Sequence, residues 1–582
     1  MSLQLNNGSG NVCLNTVVAR TQLTSQGGLT VGGPSRLNEV NTRSIKSEYG
    51  TLVNGVMLKN NNVLVPGDII VEGNVIMNRS LSPLSEGQER REAVYAVKAS
   101  AANGGYKRCP PARLNNGDEK LYDNKMASYS KGLPHDSKGN PNSDAYDSML
   151  LALSTGEPSD FDNIPMGNNP AVRLTNPQLS LTFDLQGADS YALSMPPAPK
   201  FDSAQQGGEL VELYHQAIMR DVNFDAYNIS PLATKACVSL NVLSDFRGPK
   251  TGGQVLPANL FRGVLSGCGS GPYISQFLYQ PFHYGAVPIN QKSRKTTVGS
   301  DYMTSYTSWL ESQNGVPTIQ PLWPDVRYII NARDMAEWVH MDALYQSYHH
   351  ALLYLLEIGT PFNEGNPYNN SKTQEAFGTF GGPHILALLP EISARALKAA
   401  WNQKWQVHRR ARPEVFAGRV HLTKTGIEND PISPELLNSD VLVDVFTKWG
   451  SYLLPQAFVE GSPHHPSYPA GHATVAGACV TLLKAFFDTS GNIPNPVQPD
   501  STGANLISYG GVLNIEGELH KLACNISTGR NMAGIHYRSD MDDSIILGEE
   551  VCISVLRDQK GLYSENFAGF TFKKFDGTEV TI

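Results

Sequence analysis

The chain has 582 residues, 40% hydrophobic and 17% charged, with 54 acidic against 46 basic side chains and a formal net charge of −8. That is globular composition with ample length for a large core. The acidic balance argues against nucleic acid or an anionic membrane as partner, and no apolar run is long enough to span a bilayer.

The start, Met1-Ser2-Leu3-Gln4-Leu5-Asn6-Asn7, lacks a basic stretch followed by an apolar one, so no secretory signal is expected and the protein is expected to be soluble. Residues 1–82 hold short β-type stretches between Gly and Asn: Leu29-Thr30-Val31, Leu52-Val53, Val56-Met57-Leu58, Val63-Leu64-Val65, Ile69-Ile70-Val71 and Val75-Ile76-Met77. They suggest a small β-module or solenoid that favours oligomers, or an arm packed along the main body. Residues 83–582 are expected to form one helical domain.

Residues 100–205 are rich in Gly, Pro, Asn and Ser and read as irregular wrapping. Helical patterns follow. Glu209–Val222 is amphipathic. Ala332–Ile358 is a long run without Gly or Pro, with Trp338, Ala343, Leu344, Tyr348, Leu352 and Leu355 among its apolar positions. Pro390 is expected to open a helix through Glu391–Val407, limited by Pro413. Further helices are expected over Pro434–Trp449, Val512–Ser527 and Ser539–Leu556, the last with Asp540, Asp542 and Asp543 at its positive end. Asp576-Gly577 predicts a C-terminal β-hairpin. The fold class is therefore mainly α with a β-rich N-terminal segment.

Seven scattered cysteines (13, 109, 237, 268, 479, 524, 552) include no CxxC pair, so a zinc site is not expected and reduced thiols are. The odd count leaves at least one cysteine unpaired within the chain.

Three short pieces carry groups suited to a tetrahedral or trigonal-bipyramidal oxyanion. Lys404, Arg412 before Pro413, and Arg530 can neutralise oxygens. In His465-Pro466-Ser467-Tyr468-Pro469-Ala470-Gly471-His472, two prolines favour an extended loop, after which a helix can start. A helix N-terminus offers free N–H donors to an anion, and Gly471 lets its own approach closely. His472 can pass protons. His536 follows Arg530 by six residues. Trp401, one turn before Lys404, either walls the pocket or packs in the core. Asp540 either orients His536 or caps the next helix. Arg412 lies in the basic run His408-Arg409-Arg410-Ala411-Arg412, where a solvated charge is the common alternative.

These motifs, with Arg412 eight residues after Lys404, resemble the vanadium-dependent haloperoxidases, in particular the algal and cyanobacterial bromoperoxidase branch. Met195-Pro196-Pro197-Ala198-Pro199, Asn259-Leu260-Phe261-Arg262-Gly263 and Gly271-Pro272-Tyr273 are similar too, and the likeness runs from about residue 95 to the C-terminus. The resemblance implies two four-helix bundles and a vanadate cofactor with His536 as axial ligand. It implies that Lys404, Arg412, Arg530, Gly471 and His472 hold the vanadate, with His472 as general acid–base and Lys404 polarising peroxide. It further implies hydrogen peroxide and bromide as substrates, with small electron-rich organic molecules as halogen acceptors. His465 occupies the position that is His in bromide-oxidising relatives and aromatic in chloride-oxidising ones; it is expected to tune the vanadate or His472. His464 is expected at the surface, and His349 and His350 to pack or cap.

One position departs. The family's serine, a hydrogen-bond donor to vanadate, is Ala470 here; such a bond to a charged group is worth roughly 1.5–3 kcal/mol. The same cradle occurs in acid phosphatases, where His536 would be the nucleophile, and a β-rich scaffold with a weakened catalytic domain is a third reading. Algal relatives are dimers or dodecamers, so a homo-oligomer is expected. The oxygen donors of Phe362-Asn363-Glu364-Gly365-Asn366 suggest a structural calcium ion, without a defined calcium-loop spacing.

Overall fold

Two glycines decide how the helices that carry the site come together. A Cβ on Gly477 would lie 1.9 Å from the Ile545 carbonyl oxygen, and one on Gly548 would lie 1.9 Å from that of Thr474. Neither position accepts a side chain, so the two helices meet backbone against backbone. They are Gly471–Phe486 and Arg538–Lys560, and they share the most extensive helix–helix contact of the described residues.

The computed structural model describes residues 113–168, 172–321, 323 and 325–582, and the backbone of strands within residues 45–63. In chain order the helices that matter here are α1 (Ala204–Ile218), α2 (Ala332–Met341), α3 (Gln346–Glu357), α4 (Gly382–Asn402), α5 (Pro413–Lys424), α6 (Gly471–Phe486), α7 (Ile515–Met532) and α8 (Arg538–Lys560). Helices α4, α6, α7 and α8 pack together as a bundle, with α1, α2 and α3 against it. The fold is mainly α, as expected. Helix α6 is buried along nearly its whole length, and Val475, Ala476, Val480, Leu482 and Leu483 sit in the main core.

The chain divides into two units. In one, Ile45–Ser47, Gly50–Val53, Val56–Lys59 and Asn62–Val63 form a four-stranded antiparallel meander in sequence order. Leu52-Val53 and Val56-Met57-Leu58 fall within it; the other expected strand segments and the boundary at residue 82 lie wholly or largely outside the described residues. The other unit, Ala112–Thr182 with Leu193–Ile582, holds all the helices named above.

Several helix boundaries differ from the sequence expectation, each for a local reason. Pro390 does not open its helix. It lies inside α4, whose first turn contains Pro383 instead, where a missing N–H costs nothing. The run expected over Ala332–Ile358 is broken between α2 and α3. Asp342 is extended there (φ −70°, ψ 148°), and Trp338 Nε1 donates to Ser347 Oγ across the bend at 2.9 Å. Pro434–Trp449 is two helices, Pro434–Leu437 and Asp440–Trp449. Helix α1 begins before Glu209 and ends before Val222, and it is buried on nearly all sides. The C-terminal hairpin forms as expected, with Thr571–Lys573 pairing Glu579–Thr581 and Gly577 at φ +83° in the turn.

Gly477→Ala forces a methyl into the Ile545 carbonyl. It is expected to cost about 1–3 kcal/mol and to lower the thermal unfolding midpoint, whereas Gly510→Ala, with open space around it, leaves the midpoint near the parent value.

Candidate functional site

Helix α6 starts where the Pro-rich loop ends. Ala470 is its N-cap in extended conformation, and Gly471 and His472 are the first two helical residues. The first-turn N–H groups therefore lack intrahelical acceptors. A Cβ at Gly471 would come 3.2 Å from the Trp401 ring and 3.5 Å from Leu397, so the backbone is bare at this point. His472 Nε2 lies 3.0 Å from Asp342 Oδ1. Burial presses His472 below its ordinary value while Asp342 opposes the shift. Asp342 is itself held low: burial opposes its charge, and His472 and Arg530 outweigh it. An ionised Asp342 only accepts, so Nε2 carries the proton and Nδ1 is the basic atom.

The opposite wall is built by the turn before α8. His536 Nδ1 is 2.8 Å from Asp540 Oδ2, and the same oxygen accepts from the Tyr537 N–H at 3.1 Å. Asp540 thus both caps α8, in a capping box with Tyr537, and orients the histidine; the two roles weighed from sequence coexist. Ser467 Oγ donates to Asp540 at 2.5 Å and Arg410 Nη1 at 2.8 Å. Burial opposes the charge, yet Arg410, His536 and Ser467 hold this carboxyl far below the usual carboxylate range. Arg412 Nη1 lies 2.8 Å from His536 Nε2. A guanidinium only donates, so Nε2 must accept, and the proton sits on Nδ1 facing Asp540. Burial and then Arg412 press His536 well below its ordinary value, so it stays neutral with a lone pair on Nε2.

Helix α4 ends in a π-helical turn, Gln403–His408, in which the Arg409 N–H reaches back to the Lys404 carbonyl. Such turns recur at functional sites. Arg409 then takes a left-handed conformation (φ +39°) and the chain runs on to Pro413 at the start of α5. None of the arginines in this run is a solvated charge. Arg409 pairs with Glu119, Arg410 pairs with Asp540 and stacks on Tyr537, and Arg412 is fully buried. Arg412 also donates Nε to the His465 carbonyl at 3.0 Å and Nη2 to His465 Nδ1 at 2.9 Å. The Lys404 ammonium is fully buried and donates to the carbonyls of Pro466 (2.5 Å) and Ser467 (2.9 Å). Burial, followed by Arg412, pulls it well below the ordinary lysine value.

A cavity of about 330 Å³ opens between these elements. Trp401, His465, Gly471, His472, Arg530 and His536 line it, with Leu179, Leu344, Leu397 and Pro463 on its apolar side. Lys404, Arg412 and Asp540 stand behind this lining. Trp401 lines the cavity and also packs in a buried core cluster with Tyr129, Ala400 and Trp405: its ring is 5.8 Å from Lys404 Nζ and 4.7 Å from the His465 ring, and Nε1 donates to Thr175 O. Arg530 donates Nη1 to Val339 O at 2.5 Å, and its Nε is buried with no partner among the described residues.

Sequence reasoning missed Asp342, Ser467 and Arg410. The one trace of Asp342 was a carboxylate one turn after Trp338, on the helical face that also carries Asp334. His464 is not at the surface: it is buried, and its backbone carbonyl accepts from the Thr175 N–H. His350 packs as expected, with Nδ1 3.0 Å from Gln291 Oε1. In the loop weighed for calcium, Asn363 Oδ1 accepts from the Gly365 N–H and Asn366 Oδ1 from the Tyr368 N–H. Both amide oxygens are thus engaged in local turns.

Residues 392–564 match a family model, the VCPO second helical-bundle domain. The chain is 36% identical to a vanadium-dependent bromoperoxidase of Corallina officinalis, over 86% of this chain and 100% of that one. It is 34% identical to one of Ascophyllum nodosum, over 85% and 92%. It is similar to the solved homohexameric structure of a second vanadate-dependent bromoperoxidase from Ascophyllum nodosum, with a TM-score of 0.81 and 28% identity over 88% of this chain and 94% of that one.

Beside the cavity, His340 stacks on Phe458 at 3.8 Å, and Phe458 underlies Arg530 at 5.6 Å. His340 Nε2 is 2.6 Å from Glu460 Oε1. Burial opposes its charge, but Glu337 and Glu460 lift His340 from 6.5 to about 9. Burial likewise opposes Glu460, and His340 brings it from 4.5 to about 2. The raised histidine contributes stability that is full below pH 6.5 and lost as pH rises through 9. The lowered carboxyl contributes stability that is full above pH 4.5 and lost as pH falls through 2. His340→Gln should therefore flatten the decline of the unfolding midpoint between pH 6.5 and 9, read by thermal melts across that range.

Proposed function

The chain belongs to the vanadium-dependent bromoperoxidase family, and from that premise we propose how its residues hold vanadate and move protons. The reaction is the vanadate-dependent oxidation of bromide by hydrogen peroxide, and the acid phosphatase alternative is not favoured. The oxidised bromine is proposed to halogenate small electron-rich organic molecules.

The observation that carries the site assignment is the enforced tautomer of His536. With Nδ1–H tied to Asp540, the Nε2 lone pair is kept free of a proton, the state a metal-ligating imidazole needs; Arg412 Nη1 occupies it here and would have to yield it to vanadate. The surroundings fit a small oxyanion. Arg530 Nε is a buried donor without a partner among the described residues, Gly471 opens a helix N-terminus with no side chain in the way, and Arg412 and Lys404 supply positive charge from behind. Bound vanadate would supply a pentavalent Lewis acid that makes hydrogen peroxide electrophilic toward bromide.

The protein's own part is binding, orientation and proton transfer. Arg412 and Arg530 balance oxyanion charge with planar forks that Lys would not reproduce. Lys404 spends two of its three N–H groups on backbone carbonyls, which leaves one for an oxygen of the bound anion or peroxide. His472 exchanges peroxide protons through Nδ1 while Asp342 fixes Nε2–H. His465, tied to Arg412, sets the position of that guanidinium. Trp401 and the apolar side keep bulk water out.

A homo-oligomer is supported by the hexameric relative. A dimer or a dodecamer is the proposed size, and light scattering separates either from a hexamer. A structural calcium ion at Asn363–Asn366 would have to share two amide oxygens that already accept backbone N–H groups, and its loss to a chelator would then lower the melting point.

The direct test is bromination of a β-diketone reporter with metal-free protein, with and without vanadate. Activity only with vanadate is expected; phosphate-ester hydrolysis by the vanadate-free protein, without bromination, overturns the reading. In the same assay Ala470→Ser should gain about tenfold in vanadate affinity or turnover if its hydroxyl meets the anion. A rise in melting point alone would mean that the serine merely caps α6. Asp342→Asn should lower kcat about 10- to 100-fold with vanadate affinity nearly unchanged. Since Asp342 holds the His472 value up, the limb of the pH–rate profile that reports His472 should move to lower pH.

A further inference from the structure

The five described cysteines are all free thiols in buried positions, but two of them are not isolated. Cys268 Sγ and Cys524 Sγ lie 2.8 Å apart although 256 residues separate them in the chain. That is inside ordinary sulfur–sulfur contact, and closing it to a covalent bond of about 2.05 Å needs a shift of under an ångström.

The frame around the pair is already rigid. Cys524 lies on α7, six residues before Arg530. Its neighbour Asn525 holds the segment after Cys268 by accepting from the Ser275 N–H at 2.8 Å and donating to Tyr273 O at 3.1 Å. Glu518, also on α7, accepts from the Gln276 N–H through its side chain and from Ser275 Oγ through its carbonyl, both at 2.8 Å. Arg262 donates to the Cys268 carbonyl at 2.8 Å. A Cβ on Gly263 would come 2.2 Å from Cys524 Sγ and 3.4 Å from Cys268 Sγ, so that glycine leaves the space both sulfurs occupy. Both sulfurs are buried, but Ser266, Gly269 and Ser270, beside Cys268 in the chain, are exposed.

From this geometry we infer that Cys268 and Cys524 are an oxidisable pair that forms an intrachain disulfide, locking the 262–276 loop onto the helix that carries Arg530. The oxidant is hydrogen peroxide, a substrate of the reaction. Cys268 sulfur attacks one peroxide oxygen, the O–O bond breaks with loss of water, and Cys524 sulfur then attacks the sulfenic sulfur so formed, breaking its S–O bond and releasing a second water. Two thiols and one peroxide give one disulfide and two waters; sulfur is oxidised by two electrons and peroxide reduced by two. The hydrogen bond with Cys268, followed by burial, holds the Cys524 thiol above its ordinary value. Cys268, flanked by exposed residues in its turn, is assigned as the sulfur that meets the oxidant first. A bond closing so long a loop stabilises mainly by restricting the unfolded chain, which suits a protein that works in its own oxidant.

The test uses the full-length protein, with and without vanadate, and does not require it to brominate. Protein is reduced, freed of reductant, exposed to graded hydrogen peroxide, then denatured and alkylated for peptide mapping. The expected product is one linked peptide containing Cys268 and Cys524, two fewer alkylated thiols than the seven in the chain, reversal by dithiothreitol, and a higher melting point. The same linked peptide in protein never reduced also supports the pair. Cys268→Ser and Cys524→Ser should each abolish it. Full alkylation after peroxide, irreversible sulfinic or sulfonic acid on either residue, or a link to another cysteine would overturn the inference.

Discussion

A single buried carboxylate, Asp540, ties this site to its fold. It accepts hydrogen bonds from His536, Ser467, Arg410 and the Tyr537 backbone, and each donor comes from a different structural commitment: the turn before α8, the Pro-rich loop, the segment after the π turn, and the start of α8 itself. Arg410 is in turn shared with Glu209 and Gln206 of α1. A buried charge with one partner removed is costly, at about 3–5 kcal/mol. The network therefore holds as a unit, and the histidine tautomer it imposes is a consequence of folding rather than of ligand binding.

The second constraint is steric. Gly477 and Gly548 let α6 and α8 approach until backbone touches backbone, which sets how far the α6 N-terminus lies from His536 at the head of α8. Gly471 extends the same principle into the cavity, where the Trp401 ring fills the space a side chain would need. Small residues thus set distances, and buried polar residues set orientations. The apolar surroundings that make unpaired charge expensive also press Lys404 and His536 toward their neutral forms, a state that an incoming anion can reverse for Lys404 but has no reason to reverse for a ligating imidazole.

Much of this was legible in the chain. Lys404, Arg412, Gly471, His472, Arg530 and His536 stand in ordered motifs whose residue types suit an oxyanion, and Pro466 and Pro469 before Gly471 marked the start of a helix. Trp401 and Asp540 were named with two roles open, and each takes up both: Trp401 lines the cavity and packs in a core cluster, and Asp540 caps α8 and faces His536. Asp342 was hidden because a helix with no Gly or Pro read as continuous, yet its carboxylate serves His472 from an extended break. Arg410 was hidden for the opposite reason: a basic run looks solvated until its acidic partners, 201 residues away on α1 and 130 away on α8, are in place.

By itself, the sequence determined the inventory: which groups are acidic, basic or nucleophilic, where helices can begin, and which family the motifs resemble. Those are local properties, fixed by residue type and by neighbours within a turn or two. Only the tertiary structure decided that His536 keeps its proton on Nδ1, that Arg412 stands behind the cavity rather than in it, and that Cys268 meets Cys524. Each of these depends on contacts between segments far apart in the chain, where burial and the need to satisfy every polar atom, not local propensity, select the arrangement.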